Sequence, residues 1–241
     1  MSAQSHNADP QELQKFAALA SRWWDPEGEF KPLHRMNPLR LDYIASCADL
    51  QGAQCLDVGC GGGLLSEGLA NRGAIVTGID LAEPSLNVAR LHLAESGVAN
   101  VQYQHNSAEQ LCSTKQEEYD VVTCLEVLEH VPDPAELIAA CSQLVRPGGH
   151  VFFSTINRNP KSFLLAIVAA EYILGLLPKG THEYERLIKP SELARWGRAA
   201  GLHLDDLRGI HYDPFSETFS LANDVDVNYL MHFIRPDSNA A

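Results

Sequence analysis

The chain has 241 residues, and 18 basic against 31 acidic side chains leave it at a net charge of -13. That length suits one domain with elaborations and can bury a full core. The charge repels phosphate backbones and argues against nucleic acid as a partner, while leaving a cationic ligand open.

Residues 1–10, "MSAQSHNADP", are polar and lack the basic-then-apolar order of a signal peptide, so they read as a disordered tail on a cytoplasmic protein. "QELQKFAALASRWW" has helical periodicity, with Leu13, Phe16, Ala17, Ala20 and Trp24 on one side. "DPEGEFKPLHRMNP", with its three prolines and a glycine, reads as a loop, and "LRLDYIASCADL" as a second helix.

From residue 54 strands and helices alternate. "QCLDVG" is a strand, "LLSEGLANRG" a helix closed by Gly73, and "AIVTGID" a strand. "EPSLNVARLHLAESG" is a helix closed by Gly97, followed by the strands "VQYQHN" and "YDVVTCLE". "PAELIAACSQLV" is a helix stopped by "RPGG", and "HVFFSTI" is a fifth strand. "KPSELARWGRAAG" is a helix with Ser191 as N-cap and Gly201 at its end. "LHLDDLRGI" and "DVDVNYLMHF" complete seven strands. The order predicts an α/β fold with a doubly wound, mostly parallel seven-stranded sheet, N-terminal helices before it and a helical insertion after the fifth strand. Six cysteines, at 47, 55, 60, 112, 124 and 141, form no CxxC pair and no zinc spacing, and read as buried thiols.

"LDVGCGGGLL" carries the first chemistry. A strand runs into Gly59, Gly61, Gly62 and Gly63, and a helix follows, so backbone N–H groups can approach a ligand at a helix N-terminus. Asp80 ends the next strand, 21 residues after Gly59, where a carboxylate can accept both hydroxyls of a ribose or merely cap the following helix. Leu64 stands at the third glycine position of a dinucleotide fingerprint, which disfavours an NAD-dependent oxidoreductase.

With Asp57 two residues before Gly59, this D-V-G-x-G-x-G form resembles motif I of the class I S-adenosylmethionine-dependent methyltransferases, of Rossmann-like fold. "YDVVTCLEVLEHV" and "LVRPGGHVFFSTI" resemble that family's later motifs. The resemblance implies that the loop packs on the amino-acid part of S-adenosyl-L-methionine, that Asp80 binds its ribose, and that Leu125 lines its pocket. The family's acid after the third strand is replaced by "NSAEQL", where Ser107, Ala108 and Glu109 stay open as the adenine contact.

"RWWDPEGEFKPLHRMNPLRLDYI", "CLEVLEHVPDP", "FFSTINRN", "AAEYIL", "PKGTH", "IKP" and "DVDVNY" resemble more narrowly the ubiquinone-biosynthesis O-methyltransferases, over about 11–232. Membership implies methylation of polyprenylated catechol-type intermediates at two O-methylation steps, N-terminal helices (11–53) over the cofactor site, and contact of Arg40 with the cofactor. A guanidinium suits the carboxylate of the methionine moiety. Other ubiquinone-biosynthesis enzymes are expected partners. A class I methyltransferase on another lipid-like or carrier-bound acceptor, and an inactive cofactor-binding scaffold, are the alternatives.

A phenol of pKa near 10 needs a base or a Lewis acid at neutral pH. "EVLEH" offers Glu126, Glu129 and His130, which a helical turn would place on one face. Three readings stand open: a divalent metal (Mg or Zn) held by Glu126, Glu129 and His130; catalysis by His130 and Glu129 without one; or a structural turn. His182 is a further, lower-ranked base. "SFLLAIVAAEYILGLL" is apolar nearly all round with the single charge Glu171, yet falls short of the roughly 20 residues of a span. Residues 160–189 read as a lid. Within it, 162–189 is expected to dock on a prenyl tail or a membrane lipid surface, the inner face of the plasma membrane, with Lys161, Lys179, Arg186 and Lys189 meeting anionic lipid. A core helix is its plainer alternative.

Overall fold

The structure is a computed structural model that describes residues 7–163 and 184–237. Its helices are α1 (Pro10–Leu19), α2 (Lys31–Cys47), α3 (Leu64–Ala70), α4 (Glu83–Ser96), α5 (Ala108–Cys112), α6 (Pro134–Leu144), the single turn α7 (Pro160–Ser162) and α8 (Pro190–Ala199). Its strands are β1 (Gln54–Val58), β2 (Ile75–Asp80), β3 (Val101–His105), β4 (Tyr119–Leu125), β5 (Val145–Ile156), β6 (His203–Asp213), β7 (Thr218–Ala222) and β8 (Asn228–Ile234). They form one sheet in the order β3-β2-β1-β4-β5-β8-β6-β7. The first five pair in parallel, and β8, β6 and β7 continue antiparallel.

The apolar run of β4 is what a strand covered on both faces requires. Val122 and Cys124 pack with Leu137 and Ile138 of α6 and Leu193 of α8. Val121, one residue out of phase, packs with Ile44 of α2 and Leu69 of α3. Chain direction through the sheet reverses between β1 and β4, which opens a crevice past their C-terminal ends.

The structure departs from the sequence expectations at several elements. The sheet has eight strands, because "TFSLA" adds β7 as a short, half-exposed edge paired with β6. α2 starts at Lys31, eight residues before the expected helix; Pro32 sits in the first turn, where its missing N–H costs nothing, and Pro38 lies inside the helix. α8 is capped at Lys189, not Ser191: Pro190 takes the first turn and Glu192 accepts from the Lys189 N–H at 2.9 Å. "RPGG" belongs to the start of β5. In the expected tail, Asn7 and Asp133 exchange hydrogen bonds of 2.6 and 2.8 Å, and Asp9 caps α1. All six cysteines are free thiols. No helix among the described residues is long and apolar enough to cross a membrane. Residues 164–183 lie outside the described residues, and with them most of the expected lid, Lys179 and His182.

Candidate active site

The loop leaving β1 carries positive φ at Gly59 (+71°), Gly61 (+52°) and Gly63 (+92°), which glycine tolerates at little cost. The N–H groups of Gly59 and Cys60 both donate to the Ile79 carbonyl, at 2.9 and 3.0 Å, so β2 holds the loop. A Cβ at Gly61 would lie 2.2 Å from the Trp23 ring, and one at Gly62 also 2.2 Å from it. Trp24 donates Nε1–H to the Gly62 carbonyl at 2.9 Å and stacks on His92 of α4 at 3.4 Å. The paired tryptophans thus clamp the N-terminal segment onto the glycine loop.

Asp80 ends β2 and accepts from the N–H groups of Gly61 at 2.9 Å and Ala82 at 2.7 Å. Burial pushes its carboxyl pKa up, and these donors offset only part of that. Asp57 is wholly enclosed, accepting from Ser66 Oγ at 2.6 Å and Thr123 Oγ1 at 2.9 Å; burial pushes it up to about 6. It ties β1 to α3 and β4.

Arg40 reaches in from α2 and donates to Glu126 Oε1 at 2.5 Å. Glu126 follows β4 at φ +56° and also accepts from Ser154 Oγ at 2.6 Å. His130 places Nδ1 at 2.7 Å from Glu12 Oε2 of α1, with the Phe16 ring edge-on at 5.1 Å. Burial pulls the His130 pKa down, but the bond to Glu12 and the charges of Glu129, Glu12 and Glu126 outweigh it, leaving the group above the usual histidine value. Glu12 is held down at about 2, chiefly by that same bond.

These groups meet in a cavity of about 920 Å³. Arg40, Asp57, Gly59, Gly61, Asp80, Leu125, Glu126 and His130 all line it. So do Ser107, Ala108 and Glu109, which leaves the adenine contact open; the Ser107 hydroxyl is engaged as N-cap of α5. Glu129 is not part of the lining. It is buried behind the cavity and accepts from Thr155 Oγ1 at 2.8 Å. The expected helical face of Glu126, Glu129 and His130 does not form. Only Leu128–His130 is a turn of 3-10 helix, and the left-handed backbone at Glu126 sends that carboxylate to Arg40. Among the described residues no three His, Cys, Asp or Glu side chains gather as a metal site.

Sequence reasoning missed Glu12. Its signal was faint: an acid one helical turn before Phe16, sharing that residue's face of α1.

A family model described as "Methyltransferase domain" matches residues 33–207. The ubiquinone biosynthesis O-methyltransferase of Aromatoleum aromaticum is 62% identical over 226 residues, covering 94% of this chain and 96% of that one. The enzyme of the same name from Hahella chejuensis is 58% identical over 234 residues, covering 97% and 98%. Among solved structures, magnesium protoporphyrin IX methyltransferase from Synechocystis PCC 6803 with bound SAH superposes with a TM-score of 0.64 at 20% identity, over 85% of this chain and 84% of that one. At that identity the superposition shows the fold alone: the Rossmann-like sheet of class I methyltransferases, with the cavity at its switch point. The full-length relatives carry the assignment further, and the chain belongs to the ubiquinone biosynthesis O-methyltransferases, S-adenosylmethionine-dependent enzymes of class I.

Proposed function

We propose that the chain methylates phenolic hydroxyls of polyprenylated catechols at both O-methylation steps of ubiquinone synthesis, with His130 as the general base. The observation that supports this best is the cavity itself. The glycine loop, Asp80, His130 and the end of β4 all line it, so the residues proposed to hold the cofactor and the residue proposed to take the proton face one enclosure. Arg40, Asp57, Gly59, Gly61, Asp80 and Leu125 are the proposed cofactor contacts, Asp57 acting by bracing the loop. S-adenosylmethionine supplies a methyl group on a sulfonium. The chain's part is to hold the acceptor in line with it and to take the phenolic proton onto His130. The new O–CH₃ bond forms as the S–CH₃ bond breaks, and the pair of that bond stays on sulfur as a neutral thioether. Positioned proton removal contributes about 10²–10⁴-fold. Glu129, outside the cavity, is assigned no contact with the acceptor, and no step runs through a metal.

The acceptor's tail confines it to lipid, each buried CH₂ being worth about 0.8 kcal/mol. We therefore assign residues 162–189 to a prenyl or lipid surface, and leave other enzymes of the pathway as candidate suppliers. The test is methyl transfer to catechols without a tail, with a short tail, and with a long tail in anionic liposomes. Turnover that rises with the tail, and co-sedimentation with liposomes that weakens when charges are placed in 162–177, is expected. Equal turnover on tailless catechol, or liposome association untouched by those charges, would contradict the tail and membrane readings respectively.

A further inference from the structure

We propose that Glu12 is a positioning residue for methyl transfer: across the cavity wall from α1, it fixes the orientation and tautomer of the His130 ring. The inference rests on His130 as the base.

The two side chains are 118 residues apart in sequence, yet meet at 2.7 Å with only 10% and 12% of their surfaces exposed. An ionised carboxylate accepts and cannot donate, so a neutral His130 facing Glu12 carries its hydrogen on Nδ1. The nitrogen of that tautomer able to take a proton is then Nε2. The contact is specified from both ends. Lys15 holds the other carboxylate oxygen of Glu12 at 2.6 Å, which turns Oε2 to the histidine. Phe16, one turn further along α1, stands at 88° to the imidazole plane and restricts the ring's rotation. Anchoring of the start of α1 does not require this pair. Asn7 bonds to Asp133, and Asp9 pairs with Arg186 at 2.7 Å, so the N-terminal end of the helix is tied down without Glu12. A buried carboxylate costs stability unless it is paired, so a position needed only for packing would suit an apolar residue. The same helix adjoins the tryptophans that lie on the glycine loop, so the base is set only when the N-terminal segment is docked on that loop.

The experiment compares Glu12→Leu, Glu12→Gln, His130→Ala and the double variant Glu12→Leu/His130→Ala. Its readouts are kcat, KM for both substrates, binding of S-adenosylhomocysteine and thermal unfolding of the full chain. Glu12→Leu should lower kcat about 10–10²-fold, the range of outer partners that orient a functional histidine, with cofactor affinity and KM nearly unchanged. Glu12→Gln keeps an acceptor oxygen and should fall between Leu and wild type. In the His130→Ala background Glu12→Leu should cost nothing more. Glu12→Leu that changes only the unfolding temperature or cofactor affinity, or that costs as much with His130 absent, would overturn the inference while leaving His130 as base. Full activity in His130→Ala would overturn the base and the inference together.

Discussion

Asp57 shows what a single buried side chain does to the molecule. Its carboxyl is raised from 3.8 to about 6 by enclosure, against the pull of Ser66 and Thr123. A group raised on folding favours the folded state in its protonated form, so its contribution is full below the unfolded value and is lost as pH climbs through the folded one. Stability attributable to Asp57 should therefore fall between about pH 4 and 6 and stay low above. Asp80, also raised by burial, acts in the same direction. The stacked pair His150 and His232 works the other way, since burial lowers both and costs stability as pH falls below 6.5. Asp57→Asn isolates the first effect. The difference in unfolding free energy between Asp57→Asn and wild type should shift in favour of the variant as pH rises from 4 to 7; a difference independent of pH would show that Asp57 is not strained by its burial. At this scale the sequence was legible where chemistry is local. Gly59, Gly61 and Asp80 are read from one strand–loop–helix–strand passage, and Arg40 from a signature motif. Glu12 was not legible, because its meaning lies in a partner more than a hundred residues away, and Glu126 misled because its left-handed backbone breaks the helical spacing that would have joined it to Glu129 and His130.

Aromatic rings join the N-terminal segment to the glycine loop. Trp23 lies against Gly61 and Gly62 and on Phe30 at 4.0 Å between ring centres, while His34 Nε2 meets the Trp23 carbonyl at 2.8 Å. α1 and the start of α2 are thus joined through the surface of the glycine loop. Trp23→Ala removes the largest part of that seam and should cost about 3–5 kcal/mol of local stability. Its expected signature is cleavage by a protease between residues 10 and 30 at much lower enzyme concentration, with weaker binding of S-adenosylhomocysteine. Wild-type cleavage there should slow when cofactor is added. Cofactor binding and proteolysis both unchanged in Trp23→Ala would show that the segment does not help to form the site. The sequence marked α1 by periodicity. It hid the first turns of α2, because Pro32 and Pro38 are ordinary loop signals unless one falls in a first turn and the helix tolerates the other.

For the whole molecule, the alternation of strands and helices from residue 54 was enough to place the sheet, its parallel half and the crevice beside β1 and β4. The eighth strand escaped because an edge strand with one half-exposed face leaves only a weak apolar pattern. Under the proposed function, one cavity brings S-adenosylmethionine to His130, which takes the phenolic proton without a metal. The direct measurement is methyl transfer to a short-tailed prenyl catechol by wild type and His130→Ala, each with and without a chelator. Wild-type turnover should be indifferent to chelator, and His130→Ala should lose about 10²–10⁴-fold in kcat with cofactor binding retained. Turnover abolished by chelator and restored by Mg²⁺ or Zn²⁺ would contradict it.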